Sequence, residues 1–278
     1  RSPDARVIAN RQSRGLSGGR NTGAAEAKGS ILAYLDDDAV ADPDWLRILV
    51  AHCERPEVLG AGSSVAAIWR GTRPSWFPDE FLWTVGCSFR GAPTRMQTVR
   101  NVQGGSMVLK RELFEAIDGF SVQLGRQGSK VPISCEETEL CIRAHEAMPD
   151  RVFVFDPASV VWHKVPASRL TWRYFCLRCY AEGRSKAILA TRMKSPSALD
   201  TERTYLTRAL LPGIARYLGR SVTRFDGSEI MKAAAIVVGM TSAAVGFVDG
   251  RLRHERRRSR GSVTVGKPIA DEGASTPR

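Results

Sequence analysis

Apolar residues in the first two-thirds of the chain recur with two periods, one of a strand and one of a helix. Arg6–Asn10 (RVIAN) reads as a short β-type run, Ser30–Leu35 (SILAYL) as a buried strand and Val58–Trp69 (VLGAGSSVAAIW) as a longer one. Helical patterns lie between them. Ser17 is placed to cap an Ala-rich helix from about Gly18 to Lys28, which Gly29 closes. Pro43 opens PDWLRILVAHCE at the helix position that best tolerates its missing N–H. Further on, Thr98–Phe120 reads as a strand, a Gly turn and a short helix. Cys135–Ala147 predicts a helix with Leu140, Ala144 and Ala147 facing a core. Arg151–Val165 predicts two short strands around Asp156-Pro157, with His163 ending the second. Strands and helices in this rhythm predict an α/β fold, a mainly parallel sheet flanked by helices.

After Arg192 the pattern changes. Thr204–Phe225 sets Leu206, Leu210, Ile214, Leu218 and Phe225 against Arg208, Arg216, Arg220 and Arg224, the basic amphipathic pattern of an interfacial helix. Ala233–Val248 is sixteen residues without a charge, short of the roughly 20 that span a bilayer. Arginines flank it on both sides, so a re-entrant, interfacial or buried helix pair is expected ahead of a span. The Gly/Ser/Pro-rich end is expected to be disordered. The organisation read from these patterns is a domain over 1–190, a helical membrane-associating region over 195–260 and a tail over 261–278.

Composition narrows the partners. At 43% hydrophobic and 25% charged, the 278 residues suit one sizeable globular domain with an appendage. The net charge of +12 implies an anionic partner. Arg251–Arg260 alone carries six arginines against one glutamate, however, so the charge describes a basic tail and no nucleic acid is expected. Cys53, Cys87, Cys135, Cys141, Cys176 and Cys179 show no paired spacing, which excludes a disulfide scaffold and favours a reducing compartment. Cys176-x-x-Cys179 has no second pair and is not a zinc site. Opening on RSPDARVIAN, with neither a signal sequence nor an initiating Met, the chain is expected to be a fragment or processed product.

The chemistry concentrates where SILAYL ends in Asp36, Asp37 and Asp38. Adjacent carboxylates repel, and at a strand end they suit a hard divalent cation that bridges diphosphate oxygens; a plain acidic turn explains the spacing equally well. The neighbours decide it. GLSGGRNTGAAEAKGSILAYLDDDAVADPDWL resembles the nucleotide-sugar region of family 2 glycosyltransferases of the GT-A (Rossmann-like) fold. The likeness resumes at NVQGGSMVLKRELFEAIDGF and at CEETELCIR, in the family's order, and covers about Arg6 to Lys186.

The resemblance implies a metal-dependent, inverting transfer of a sugar from a nucleotide-sugar donor to an acceptor hydroxyl. Asp36 would contact the nucleoside, with Asp37 beside it, and Asp38 would ligate Mn²⁺ or Mg²⁺ together with His163. Arg20 and Asn21 would hold the nucleotide, and Arg14 would add charge near the diphosphate. Gly104, Gly105 and Glu136 would lie on the acceptor side. Glu137, where the family usually carries Asp, would be the base. Arg169, Arg173 and Arg178 meet phosphate or lipid headgroups, or form a solvated face. The Trp69, Trp76 and Trp83 loop binds acceptor, packs a core or forms a lid. The family's first βαβ portion, which reads the base, does not precede RVIAN, and no Gln-x-x-Arg-Trp follows, so one sugar per encounter is expected rather than processive synthesis. The helical region points to a lipid-linked or cell-envelope glycan acceptor and a peripheral, cytoplasmic-face location. The competing readings are a catalytically inactive fragment, a basic module binding anionic lipid or nucleic acid, and a nucleotidyltransferase.

Overall fold

A computed structural model of the chain describes residues 5–122, 134–192 and 200–262. Its centre is a mixed six-stranded sheet of β1 (Ile31–Leu35), β2 (Ala39–Ala41), β3 (Val58–Arg70), β4 (Gln97–Val99), β5 (Ser106–Lys110) and β6 (Val152–Pro166). The order is β1-β5-β3-β6-β2, and β4 also pairs with β6. The α/β layering is as expected, but the mainly parallel sheet is corrected. Among the described strands β3–β6 is the one parallel ladder and the other four are antiparallel. Periodicity locates strands without naming their neighbours, and β5 slots between β1 and β3 running against both.

Successive side chains on a strand point to opposite faces, and both faces of this sheet are covered. Val58, Ala61, Val108 and Val161 meet Trp45, Leu49 and Cys53 of α2 (Trp45–Cys53). Leu59, Met107, Leu109 and Phe153 instead meet Leu113 of α3 (Arg111–Ala116) and Leu140 and Ala144 of α4 (Glu136–Ala147); Ala147 is exposed. The two short strands expected near Asp156 are one strand. Its register slips from Ser63↔Asp156 to Ser64↔Val160, so Asp156-Pro157 is taken up as a bulge and His163 lies within β6.

Local expectations shift in four places. β1 is an edge strand in which Leu32 alone is buried. Arg6–Asn10 forms no strand and Val7 is 96% exposed, because no ladder partner lies beside it among the described residues. α1 (Leu16–Glu26) starts behind Gly15, with Ser17 buried inside its first turn, and Pro43 sits in the turn ahead of α2.

The C-terminal helices are α5 (Trp172–Arg192), α6 (Asp200–Tyr205), α7 (Leu211–Arg224) and α8 (Gly227–Ser262), with a π turn over Leu206–Leu210. They share a core with the sheet domain: Phe77, Phe81 and Val85 cluster with Phe175, Leu210, Tyr217 and Ile236. Within that cluster Glu80, which has no exposed surface, pairs with Arg216 and accepts from the Tyr217 hydroxyl at 3.1 Å. Trp76 stacks on Trp172 at 4.1 Å, so the Trp-rich loop builds core. α5 and α8 touch backbone to backbone: a Cβ on Gly183 would lie 1.9 Å from the Ala243 oxygen, and one on Gly246 would lie 2.0 Å from the Tyr180 oxygen.

α8 removes the helix pair from the readings of Ala233–Val248, since one helix runs through the segment. The helix is continuous over 36 residues, and Gly227–Arg256 is long and apolar enough to cross a membrane by length and composition. The tail expected from 261 falls, after Ser262, outside the described residues.

Candidate active site

Asp36–Asp38 carry the chain from β1 at one edge of the sheet to β2 at the other. They pass the Gly104-Gly105 turn that leads into β5, where the Asp36 N–H donates to the Gly105 carbonyl at 3.0 Å. A Cβ on Gly105 would meet Asp36 Oδ2 at 2.7 Å, and one on Gly104 would meet Arg20 Nη2 at 2.9 Å. These glycines, expected on the acceptor side, therefore make room for Arg20 and Asp36. The Lys164 N–H donates to the Asp38 carbonyl at 2.9 Å, which fixes Asp38 against β6. There His163 Nε2 lies 3.2 Å from Asp38 Oδ1, the pairing the sequence anticipated.

α4 supplies a second wall. Cys135 adopts φ +77, a left-handed conformation unfavourable for a non-glycine residue, and the turn delivers Glu136 and Glu137 into the same space. Glu136 is buried, and its Oε1 accepts from Arg20 Nη1 at 3.1 Å. Arg20 also donates to the Gly104 carbonyl at 2.7 Å, stands 3.8 Å from Asp36 and lies over the Phe120 ring. Burial, and then the Glu136 charge, push the Glu137 carboxyl up to about 7 against the pull of Arg20. A carboxyl so placed exchanges its proton near neutrality.

One polar cavity of ≈ 370 Å³ joins these groups, with Arg20, Asp36, Asp37, Asp38, Gly104, Gly105, Glu136, Glu137 and His163 all on its surface. Two predicted residues do not take part. Arg14 is exposed and off the cavity wall. Asn21 turns both ends of its amide to the Phe120 backbone, donating to the carbonyl and accepting the N–H at 2.9 Å each. It holds the Asp118-Gly119-Phe120 turn, with φ of 56 and 64 at its first two residues, rather than a nucleotide. The three arginines have different fates. Arg169 reaches Asp38 Oδ2 at 3.4 Å and His163 Nε2 at 3.3 Å, Arg178 is buried on the cavity wall, and Arg173 is exposed. Gln103 and Ser134 also line the cavity; adjacency to Gly104 and to Cys135 was their one signal in the sequence. Of the three tryptophans Trp83 lines it.

Among the described residues no three His, Cys, Asp or Glu side chains converge as a preformed metal cage. Asp38 and His163 offer one carboxylate and one imidazole, which fits a divalent ion whose remaining positions are filled by ligand oxygens.

Residues 1–118 match the family model "Glycosyl transferase family 2". The chain is 32% identical over 244 residues to the glucosyl-dolichyl phosphate glucuronosyltransferase of Haloferax volcanii, covering 87% of this chain and 77% of that protein. It is 25% identical over 248 residues to the pre-mycofactocin glycosyltransferase of Mycobacterium tuberculosis, covering 88% of this chain and 50% of the other. A solved structure of GalNAc-T7 with UDP, GalNAc and Mn²⁺ aligns with a TM-score of 0.44 at 18% identity, over 72% of this chain and 43% of that one, a likeness too loose to argue from. The chain belongs to glycosyl transferase family 2, and it is a glycosyltransferase.

Proposed function

We propose that the chain catalyses metal-dependent, inverting transfer of a sugar from a nucleotide-sugar donor to a hydroxyl of a lipid-linked or cell-envelope acceptor. The observation that carries this reading is the single cavity with the Asp38–His163 pair on one wall and Glu137 on another. The donor lies along the acidic turn with Asp36 and Asp37 at the nucleotide. Asp38 and His163 would hold Mn²⁺ or Mg²⁺, which when bound neutralises charge on the leaving diphosphate. Glu137 takes the proton of the acceptor hydroxyl as its oxygen bonds to the anomeric carbon. The bond from that carbon to the diphosphate breaks, its electrons depart with the nucleoside diphosphate, and the configuration inverts. Arg169, beside Asp38 and His163, favours the leaving charge. Arg20, bonded to Glu136 and Gly104, positions them on the cavity wall.

Two observations support a lipid-linked acceptor. The Haloferax relative is named for action on glucosyl-dolichyl phosphate. α7 and α8 expose Leu218, Val222, Phe225, Val237, Val245 and Val248, an apolar surface suited to peripheral binding at the cytoplasmic face of a membrane. Calorimetric titration of UDP, GDP and dTDP, with and without Mn²⁺, into the chain and its Asp38→Ala variant tests the donor side. Mn²⁺-dependent binding that the variant loses is expected. Binding indifferent to both changes would overturn the reading.

A further inference from the structure

Among the described residues, one cation on the cavity wall has two nitrogens without a hydrogen-bond partner. Arg178 on α5 is 7% exposed and lines the cavity, yet its Nε and Nη1 have no hydrogen-bond partner. Glu182, one turn along the helix, is occupied by the Ser134 hydroxyl at 3.1 Å and by Lys186 Nζ at 3.4 Å. The other cavity arginines are engaged, Arg20 with Glu136 and Gly104, and Arg169 with Asp38 and His163. The Glu182 charge attracts Arg178 from one turn away, but leaving two buried guanidinium nitrogens without an acceptor is costly, and the planar fork suits the oxygens of a phosphate. A ligand oxyanion would supply the acceptors that Glu182 does not.

Position indicates which ligand. Ser134 and Cys135 both bond Glu182, the latter through Sγ at 3.6 Å, so this stretch of α5 packs against the start of α4. That is where Glu136 and Glu137 enter the cavity, whereas the Asp38–His163 pair has Arg169 for its own cation. We propose that Arg178 receives a phosphate of the acceptor, so that the pocket selects sugars carried on a phosphate. The assignment to the acceptor rests on the transferase reading above; the phosphate site does not.

The test is titration of glucose 1-phosphate, and of methyl glucoside as its uncharged twin, into the full chain and its Arg178→Gln and Arg178→Lys variants. Glucose 1-phosphate should bind about 10-fold or more weaker to Arg178→Gln, the scale of a lost charge-assisted hydrogen bond, with partial recovery in Arg178→Lys. Methyl glucoside should not distinguish the three proteins, and Mn²⁺-dependent UDP binding should be unchanged. Weakened UDP binding with glucose 1-phosphate unaffected would move Arg178 to the donor diphosphate and overturn the proposal. Equal glucose 1-phosphate binding by all three proteins would overturn it too. If Arg178→Gln does not fold, inorganic phosphate gives the decision: at matched ionic strength it should raise the wild-type Tm above that in chloride, and no rise would sink the site. A UDP response indifferent to Asp38→Ala removes the acceptor assignment separately, while the glucose 1-phosphate comparison still decides the phosphate site.

Discussion

The cavity wall and the outer faces of α7 and α8 break opposite rules. Around the cavity, charge is buried: Arg20, Glu136, His163 and Arg178 each expose less than a tenth of their surface. On the outer helices, apolar groups are exposed, with Val222 at 71% and Phe225 at 95%. A chain meeting only water would reverse both, because buried charge and exposed apolar surface are each unfavourable unless something covers them. Each departure therefore singles out a surface, the cavity in one case and the outer helix faces in the other. The boundary is sharp. Tyr217 is buried against Glu80 while its neighbour Leu218 faces outward.

The largest effect should come from the cavity. Glu137→Gln keeps the shape and loses the base, so kcat should fall by about 10²–10⁴-fold, with nucleotide binding retained. The pH profile supplies a second reading. Burial and Glu136 disfavour the ionised carboxylate, so the base is protonated below about 7. Accordingly kcat/KM should rise with pH through that value and then level off. An active Glu137→Gln, or a flat profile, would reduce this buried charge to architecture.

Glu80 sharpens the contrast, since it is a buried charge held for structure. Glu80→Ala leaves Arg216 and Tyr217 without their partner, and urea unfolding should show a loss of about 3–5 kcal/mol. Smaller again is Gly246→Val. Its side chain would need the space of the Tyr180 carbonyl, and separating α5 from α8 should cost about 1–3 kcal/mol in the same assay.

What the sequence revealed follows from how local each signal is. The acidic turn, the Glu136-Glu137 pair and His163 were legible because strand ends and helix starts are written in contiguous residues. Asn21 was misassigned because its partner, Phe120, is 99 positions away. The close approach at the glycines was illegible for the same reason, since the neighbour that requires Gly104 to be small is Arg20. Strand order was illegible because ladders join distant segments, as β5 does between β1 and β3. The length of α8 was illegible because counting stopped at the first charges, although Lys232 and Asp249 are accommodated within the helix, bonded to Glu229 and to Tyr180.

The smallest stability effect belongs to the outer face. Val222 and Phe225 lie at and just after the end of α7, and Val222 and Phe225 leave most of their surface in solvent. The double variant Val222→Asp, Phe225→Asp removes apolar contact with nothing inside the protein, so unfolding should move by no more than about 0.5 kcal/mol per site. Flotation on vesicles of mixed anionic phospholipid should nevertheless weaken, because the apolar face would now carry two carboxylates opposed to acidic headgroups. A large stability loss would mean that the protein itself covers this face. Unchanged flotation, with stability intact, would mean that the arginines bind the vesicle and the apolar surface does not. Either result would undo the symmetry between buried charge and exposed apolar surface, since the second would no longer report a partner.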